Sequence, residues 1–213
     1  GSILLEKIGK ADAASPVRRL SRIVKAKEAA VLVAHVRMPS PQFMETARFR
    51  ETAQPYATEC YRDLTIASAH NGFIENYKII REKLDKTHVL ESEKVELVDS
   101  EVIPHYFEEL LREKGDTGEA LDALHSSLEG RMALSLLQVG NKGVFLHLVH
   151  KGKTRGLVVW TNSSGEVVFC SRKEPLTAEF ADVLAEGTFE EKVSIPWEKQ
   201  KDMIISYAIK AKA

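Results

Sequence analysis

The sequence predicts an α+β fold in which antiparallel sheets are covered by helices. Apolar stripes of helical spacing fall mostly between residues 73 and 128, whereas alternating or continuous apolar runs crowd residues 132–170. Such segregation disfavours a doubly wound parallel sheet, in which strands and helices alternate. The later runs are separated by Gly140-Asn-Lys-Gly143, Lys151-Gly-Lys153 and Asn162-Ser-Ser-Gly165, short connections of the kind that join antiparallel strands. Neither a P-loop nor a GxGxxG motif occurs. A length of 213 residues suits one domain, 1–213.

Each element has its own signal. Residues 3–14 are weakly patterned. Ser15-Pro16 offers an N-cap and a proline at the first helical position. Val17, Leu20, Ile23 and Val24 form the stripe of that helix, and Arg18, Arg19, Arg22, Lys25 and Lys27 read as its solvated face. Ala29–Ala34 is a nearly continuous apolar run, expected as a strand buried on both faces. Pro39 and Pro41 stop regular structure, and residues 42–60 read as a long loop. Leu64–Ala69 is strand-like, Asn71-Gly72 reads as a turn, and Phe73, Tyr77, Ile80 and Leu84 trace a helix face. Asp99-Ser100 offers an N-cap to a helix with stripe Ile103, Tyr106, Phe107, Leu110 and Leu111, closed by Gly115. Another helix is expected over Thr117–Leu128. Strands are expected at Met132–Val139, Val144–His150, Leu157–Thr161 and Val167–Cys170. A helix follows at Thr177–Ala185, then strands around Lys192–Trp197 and Met203–Ile209.

Composition removes several classes of function. A formal net charge of -1 provides no basic field for nucleic acid. No apolar run approaches a membrane span, and no signal peptide is visible. Cys60 and Cys170 lie far apart without CxxC spacing, which argues against zinc and suits a reducing cytoplasmic location. No metal or cofactor is expected.

Asn71-Gly72 stands at the end of a strand and before a helix, where polar donors can serve an anion or a developing oxyanion, or simply make a turn. Ala34-His-Val-Arg37-Met-Pro-Ser40, then Gln54-Pro55-Tyr56 with Ala69-His-Asn71-Gly72-Phe-Ile-Glu-Asn76-Tyr77, then Asp99-Ser-Glu-Val-Ile103 occur in order. This ordered set, with Gly130-Arg-Met-Ala-Leu134 after it, resembles the glutaminase domain of class II glutamine amidotransferases, a family of N-terminal nucleophile hydrolases. The resemblance covers about residues 30–137. It implies a four-layer αββα sandwich and hydrolysis of the glutamine side-chain amide to glutamate and ammonia. By resemblance, Arg37 binds the substrate carboxylate, a two-point contact that a guanidinium fork suits. Ser40 stands where the family has threonine and would donate to the same carboxylate. Asp99 would bind the substrate ammonium, and the Asn71 side chain and Gly72 N–H would form the oxyanion hole. His35 and His70 are read as holding local hydrogen bonds, neither as a base nor as metal ligands.

The family's nucleophile is an N-terminal cysteine whose own α-amine is the base. Here Gly1-Ser2 reads as a cloning remnant, and neither a glycine-rich opening strand nor an Asp-Ser-x-Gly-like segment is found. Cys60 and Cys170 carry no free α-amine. The favoured expectation is a nucleophile-bearing strand outside this sequence, which would leave a sheet edge open. A nucleophile-less module that binds glutamine or a partner is the alternative. An N-terminal nucleophile hydrolase of another amide, such as a γ-glutamyl bond, is a third. The expected partners are glutamine, a separate synthase subunit that receives ammonia, and a second copy in a homo-oligomer, but not nucleic acid or membrane.

Overall fold

The computed structural model describes residues 3–9, 14–24, 29–58, 60–153 and 155–210. In chain order the described elements are α1 (Pro16–Ile23), β1 (Tyr56–Ala57), β2 (Leu64–Ile74), α2 (Tyr77–Lys83), α3 (Val102–Lys114), α4 (Thr117–Ser127), β3 (Gly130–Gly140) and β4 (Gly143–Lys151). There follow β5 (Leu157–Thr161), β6 (Val167–Cys170), α5 (Lys173–Glu179), α6 (Ala181–Glu186), β7 (Glu190–Ile195) and β8 (Met203–Ile209). Two antiparallel sheets result, with strand orders β1-β2-β3-β4-β8 and β6-β5-β7.

Alternation of side chains along the strands decides which residues meet. On one face of the larger sheet, Ile66 and Ile74 of β2 and Met132, Leu134 and Leu136 of β3 join α2, α3 and α4 in a core around Phe107 and Leu124. On the other face, Leu146 and Leu148 of β4 meet Leu157 and Val159 of β5 and Val193 and Ile195 of β7, so the two sheets pack face to face. The pair α5–α6, with Leu176 and Leu184 buried, completes the helix–sheet–sheet–helix stack. Gly115 ends α3 in the left-handed conformation, φ 70°, closing the last turn as the sequence predicts.

Five expectations need correction. Ala29–Ala34 is not a buried strand. The run has no regular secondary structure, Leu32 is 55% exposed, and among the described residues none pairs with it in a ladder. An apolar run becomes a strand only where a neighbour takes up its N–H and C=O groups. Asn71-Gly72 is not a turn: β2 continues through it to Ile74, paired with Ala133 and Met132 of β3, and the helix starts only at Tyr77. The 42–60 loop carries two 3-10 turns, Pro41–Phe43 and Arg50–Thr52, and the short strand β1. Asp99 does not cap α3, whose N-cap is Glu101 without a side-chain bond. The expected helix at Thr177–Ala185 is divided at Phe180 into α5 and α6. No residue of α1 is buried, and Lys25 and Lys27 of its basic face lie outside the described residues.

Candidate functional site

β2 delivers Asn71 and Gly72 to a cavity of about 480 Å³ at the end of the larger sheet. The segment around residues 35–41 forms one wall, the buried Gln54, Asp99 and Ser100 form the base, and Arg131, Arg155, Arg172 and Trp197 complete the lining, with Arg155 reaching the Sδ of Met38. Arg37, Ser40, Asn71, Gly72 and Asp99 therefore all line one cavity, although they are spread over sixty-odd positions of sequence.

Gly72 is demanded by the backbone. Its φ is +145°, and a Cβ built there would stand 1.9 Å from the carbonyl oxygen of Arg131 on β3. Any other residue would force the two central strands apart. The amide of Asn71 turns its Oδ1 toward His35 Nε2 at 3.4 Å, so that wall and the strand are linked beside the glycine.

The base is a buried polar network. Gln54 uses both ends of its amide on the backbone of His70: Oε1 accepts from His70 N–H at 2.6 Å, and Nε2 donates to His70 C=O at 3.0 Å. Nε2 also donates to Ser100 Oγ at 3.1 Å, and that hydroxyl lies 3.0 Å from His70 Nδ1. Asp99 Oδ2 accepts the N–H of Ile74 at 3.0 Å and lies 3.8 Å from His70 Nδ1. Asp99 thus binds the end of β2 instead of the start of α3. Glu101 is also buried: its oxygens accept the N–H groups of Glu91 at 2.6 Å and Ser92 at 2.8 Å.

Burial controls the charges. It pushes the imidazole of His35 down to about 4, opposed by the Asn71 contact, and depresses that of His70, opposed by Asp99. Both rings are neutral at neutral pH. Burial also lowers Arg37 from its ordinary value, against the opposing pull of Tyr56, Asp99 and Glu96, yet a guanidinium remains charged. Its Cζ lies 5.9 Å from the Phe43 ring centroid, and its Nη1 is buried with no hydrogen-bond partner among the described residues. A half-buried guanidinium with one unmatched nitrogen at one wall and a buried carboxylate at the base can hold the two ends of a zwitterion.

Sequence reasoning assigned no site to residues 138–213, yet they supply Arg155, Ser171, Arg172, Trp197 and Glu198 to the cavity. The Arg155 guanidinium stacks 3.7 Å from the Trp197 ring centroid, with Arg172 at 5.7 Å. Trp197 beside Pro196, in a stretch rich in charge, was the available signal. Behind Asn71, a second cavity of about 160 Å³ lies between the sheets, lined by small residues such as Ala69, Ala133, Ser135 and Gly156, with Cys170 at its edge. Among the described residues no helix is long and apolar enough to cross a membrane.

A family model described as the glutamine amidotransferase domain matches residues 44–178. Among curated proteins, the chain is 38% identical over 94 residues to glutamine–fructose-6-phosphate aminotransferase [isomerizing] of Sulfurisphaera tokodaii. That alignment covers 44% of this chain and 15% of the relative. The protein of the same name from Halobacterium salinarum is 35% identical over 95 residues, covering 45% and 15%. The chain thus aligns with less than a fifth of the length of these relatives. A solved structure of the allosteric regulatory enzyme of purine biosynthesis superposes with a TM-score of 0.47 at 16% identity, over 77% of this chain and 32% of that one.

Proposed function

This chain belongs to the glutamine amidotransferase domain family, and we propose from that premise that its larger cavity binds free glutamine and hydrolyses the side-chain amide to glutamate and ammonia. The observation that carries the reading is the unmatched, buried Nη1 of Arg37, which shares a cavity with Asp99, Asn71 and Gly72. Arg37 takes the substrate carboxylate, helped by Ser40, and Asp99 takes the ammonium. Between them the side-chain amide lies against Asn71 and Gly72.

In the proposed chemistry a cysteine thiolate attacks the amide carbon. The oxygen becomes an oxyanion held by the Asn71 Nδ2 and Gly72 N–H donors. Ammonia leaves with the proton taken from the thiol, and water hydrolyses the thioester to glutamate. Losing one such donor typically costs about 10²–10³ in rate. Neutral His35 orients Asn71 by engaging Oδ1, which directs the NH2 end elsewhere. The nucleophile is proposed to be an N-terminal cysteine, because its α-amine provides the base, and Cys60 does not line this cavity. Ammonia would then pass to a synthase.

The test uses the product of the complete gene. Glutamate release from glutamine, lost in Arg37→Ala, supports the proposal. No release, with or without a candidate synthase, overturns hydrolysis. A rise in melting temperature with glutamine, without turnover, would mark a glutamine-binding module instead. Release from γ-glutamyl amides in preference to glutamine would reassign the substrate.

A further inference from the structure

Away from the cavity, folding gathers four side chains from three distant stretches. Cys60 lies between β1 and β2, His88 in the connection after α2, and His105 and Glu108 one turn apart on α3. One ligating atom from each lies within 4.8 Å of all the others. His88 Nδ1 is 3.0 Å from His105 Nδ1, His105 Nδ1 is 3.5 Å from Cys60 Sγ, and His88 Nδ1 is 3.7 Å from Glu108 Oε2. We propose that Cys60, His88, His105 and Glu108 form a structural zinc site.

Geometry is the first argument. A tetrahedral zinc with bonds of about 2.0–2.3 Å has ligand–ligand edges of about 3.3–3.6 Å. The three edges above straddle that range and the other three lie within 4.8 Å, so a cation at the centre draws the widest pair together by up to about an ångström. Hydrogen bonding is the second. Glu109 Oε1 lies 2.7 Å from His88 Nε2, which fixes the ring proton on Nε2 and turns the Nδ1 lone pair inward. A carboxylate behind a ligating histidine is the usual support of a zinc site. Tyr61 donates to the same Glu109 oxygen at 2.7 Å, and Thr58 donates to Glu108 Oε1 at 2.8 Å. Those bonds hold Glu108 Oε2 toward the cluster, where it is buried and the Cys60 thiol faces the same carboxylate.

Charge is the third argument. A thiolate and a carboxylate together neutralise a divalent cation, so the occupied site carries no net buried charge. A mixed sulfur, nitrogen and oxygen set suits zinc better than magnesium or calcium, which prefer oxygen alone. Four protein ligands leave no open position, which makes the site structural and not catalytic. Binding releases the Cys60 thiol proton and clamps the 60 and 88 segments to the first turns of α3. Asp99 and Ser100 lead directly into that helix, so the clamp also steadies the base of the cavity. The lack of CxxC spacing argued against zinc only because sequence alone does not bring His88 and α3 beside Cys60.

The test uses the full chain, free of any histidine tag, stripped with a chelator and titrated with Co²⁺. The expected result is one Co²⁺ per chain, with tetrahedral visible bands and a thiolate-to-cobalt charge-transfer band, all displaced by Zn²⁺. Cys60→Ser should remove the charge-transfer band, Cys170→Ser should keep it, and Glu109→Gln should weaken binding by about 10–100-fold. Zn²⁺ should also slow alkylation of Cys60 but not of Cys170 in the unsubstituted protein, a readout independent of whether the variants fold. No stoichiometric uptake, a charge-transfer band that survives Cys60→Ser, or equal alkylation of Cys60 with and without Zn²⁺ would overturn the site.

Discussion

Replacing Arg37 with methionine separates a binding role from a structural one. The guanidinium Nη1 is buried and makes no hydrogen bond among the described residues, while the group lies 5.9 Å from the Phe43 ring centroid. Leaving such a donor unmatched costs about 1–3 kcal/mol. The ring contact offsets about 0.5–1 kcal/mol of that. Methionine has similar length and no polar atom, so Arg37→Met should stabilise the ligand-free protein by about 0–2 kcal/mol, or up to about 8 °C at roughly 2–4 °C per kcal/mol. Ligand binding should move the other way. Two charge-assisted hydrogen bonds to a carboxylate are worth about 3–6 kcal/mol together. Their loss weakens glutamine binding by about 10²–10⁴-fold. Glutamine at 100 times its Kd stabilises the unsubstituted protein by about 2.7 kcal/mol. That corresponds to a rise of about 5–11 °C. Differential scanning calorimetry with and without glutamine reads both effects. A variant that melts well below the parent, yet keeps its glutamine shift, would refute the assignment of Arg37 to the substrate.

Three further outcomes follow from the geometry. Gly72→Ala places a methyl group 1.9 Å from the Arg131 carbonyl at a φ of +145°, so it should lower stability by at least about 3 kcal/mol and abolish glutamate release, measured by thermal melting and turnover. Asp99→Asn keeps an acceptor for the Ile74 N–H but removes the charge, so glutamine binding should weaken by about 10–100-fold. An analogue lacking the α-amine should bind parent and variant alike, and a large loss for that analogue would count against the ammonium role. His147 is buried, with its imidazole pushed down to about 4 by burial. The unfolded chain binds that proton near pH 6.5, so the contribution is full above pH 6.5 and lost as pH falls toward 4, on the order of 3 kcal/mol at about 1.36 kcal/mol per pH unit. Melting temperature measured across that window should fall less steeply in His147→Gln.

The sequence by itself determined the α+β class, most of the helices and strands, and the ordered residues Arg37, Ser40, Asn71-Gly72 and Asp99. Periodicity and turn chemistry are local, so the β3–β4 hairpin, the Gly115 stop of α3 and the strand β8 were legible without neighbours. Tertiary structure decided what depends on partners. Ala29–Ala34 has strand composition but no ladder, because pairing is a property of two chains of backbone and not of one. Asn71-Gly72 looks like a turn until β3 runs alongside and carries it as a strand, where the Arg131 carbonyl leaves room only for glycine. Asp99 looks like a cap until the N–H of Ile74 arrives from β2. The Arg155–Trp197 stack in the cavity lining and the cluster of Cys60, His88, His105 and Glu108 carry no spacing signal at all. Their members come from separate elements, and only packing of those elements brings their side chains within reach.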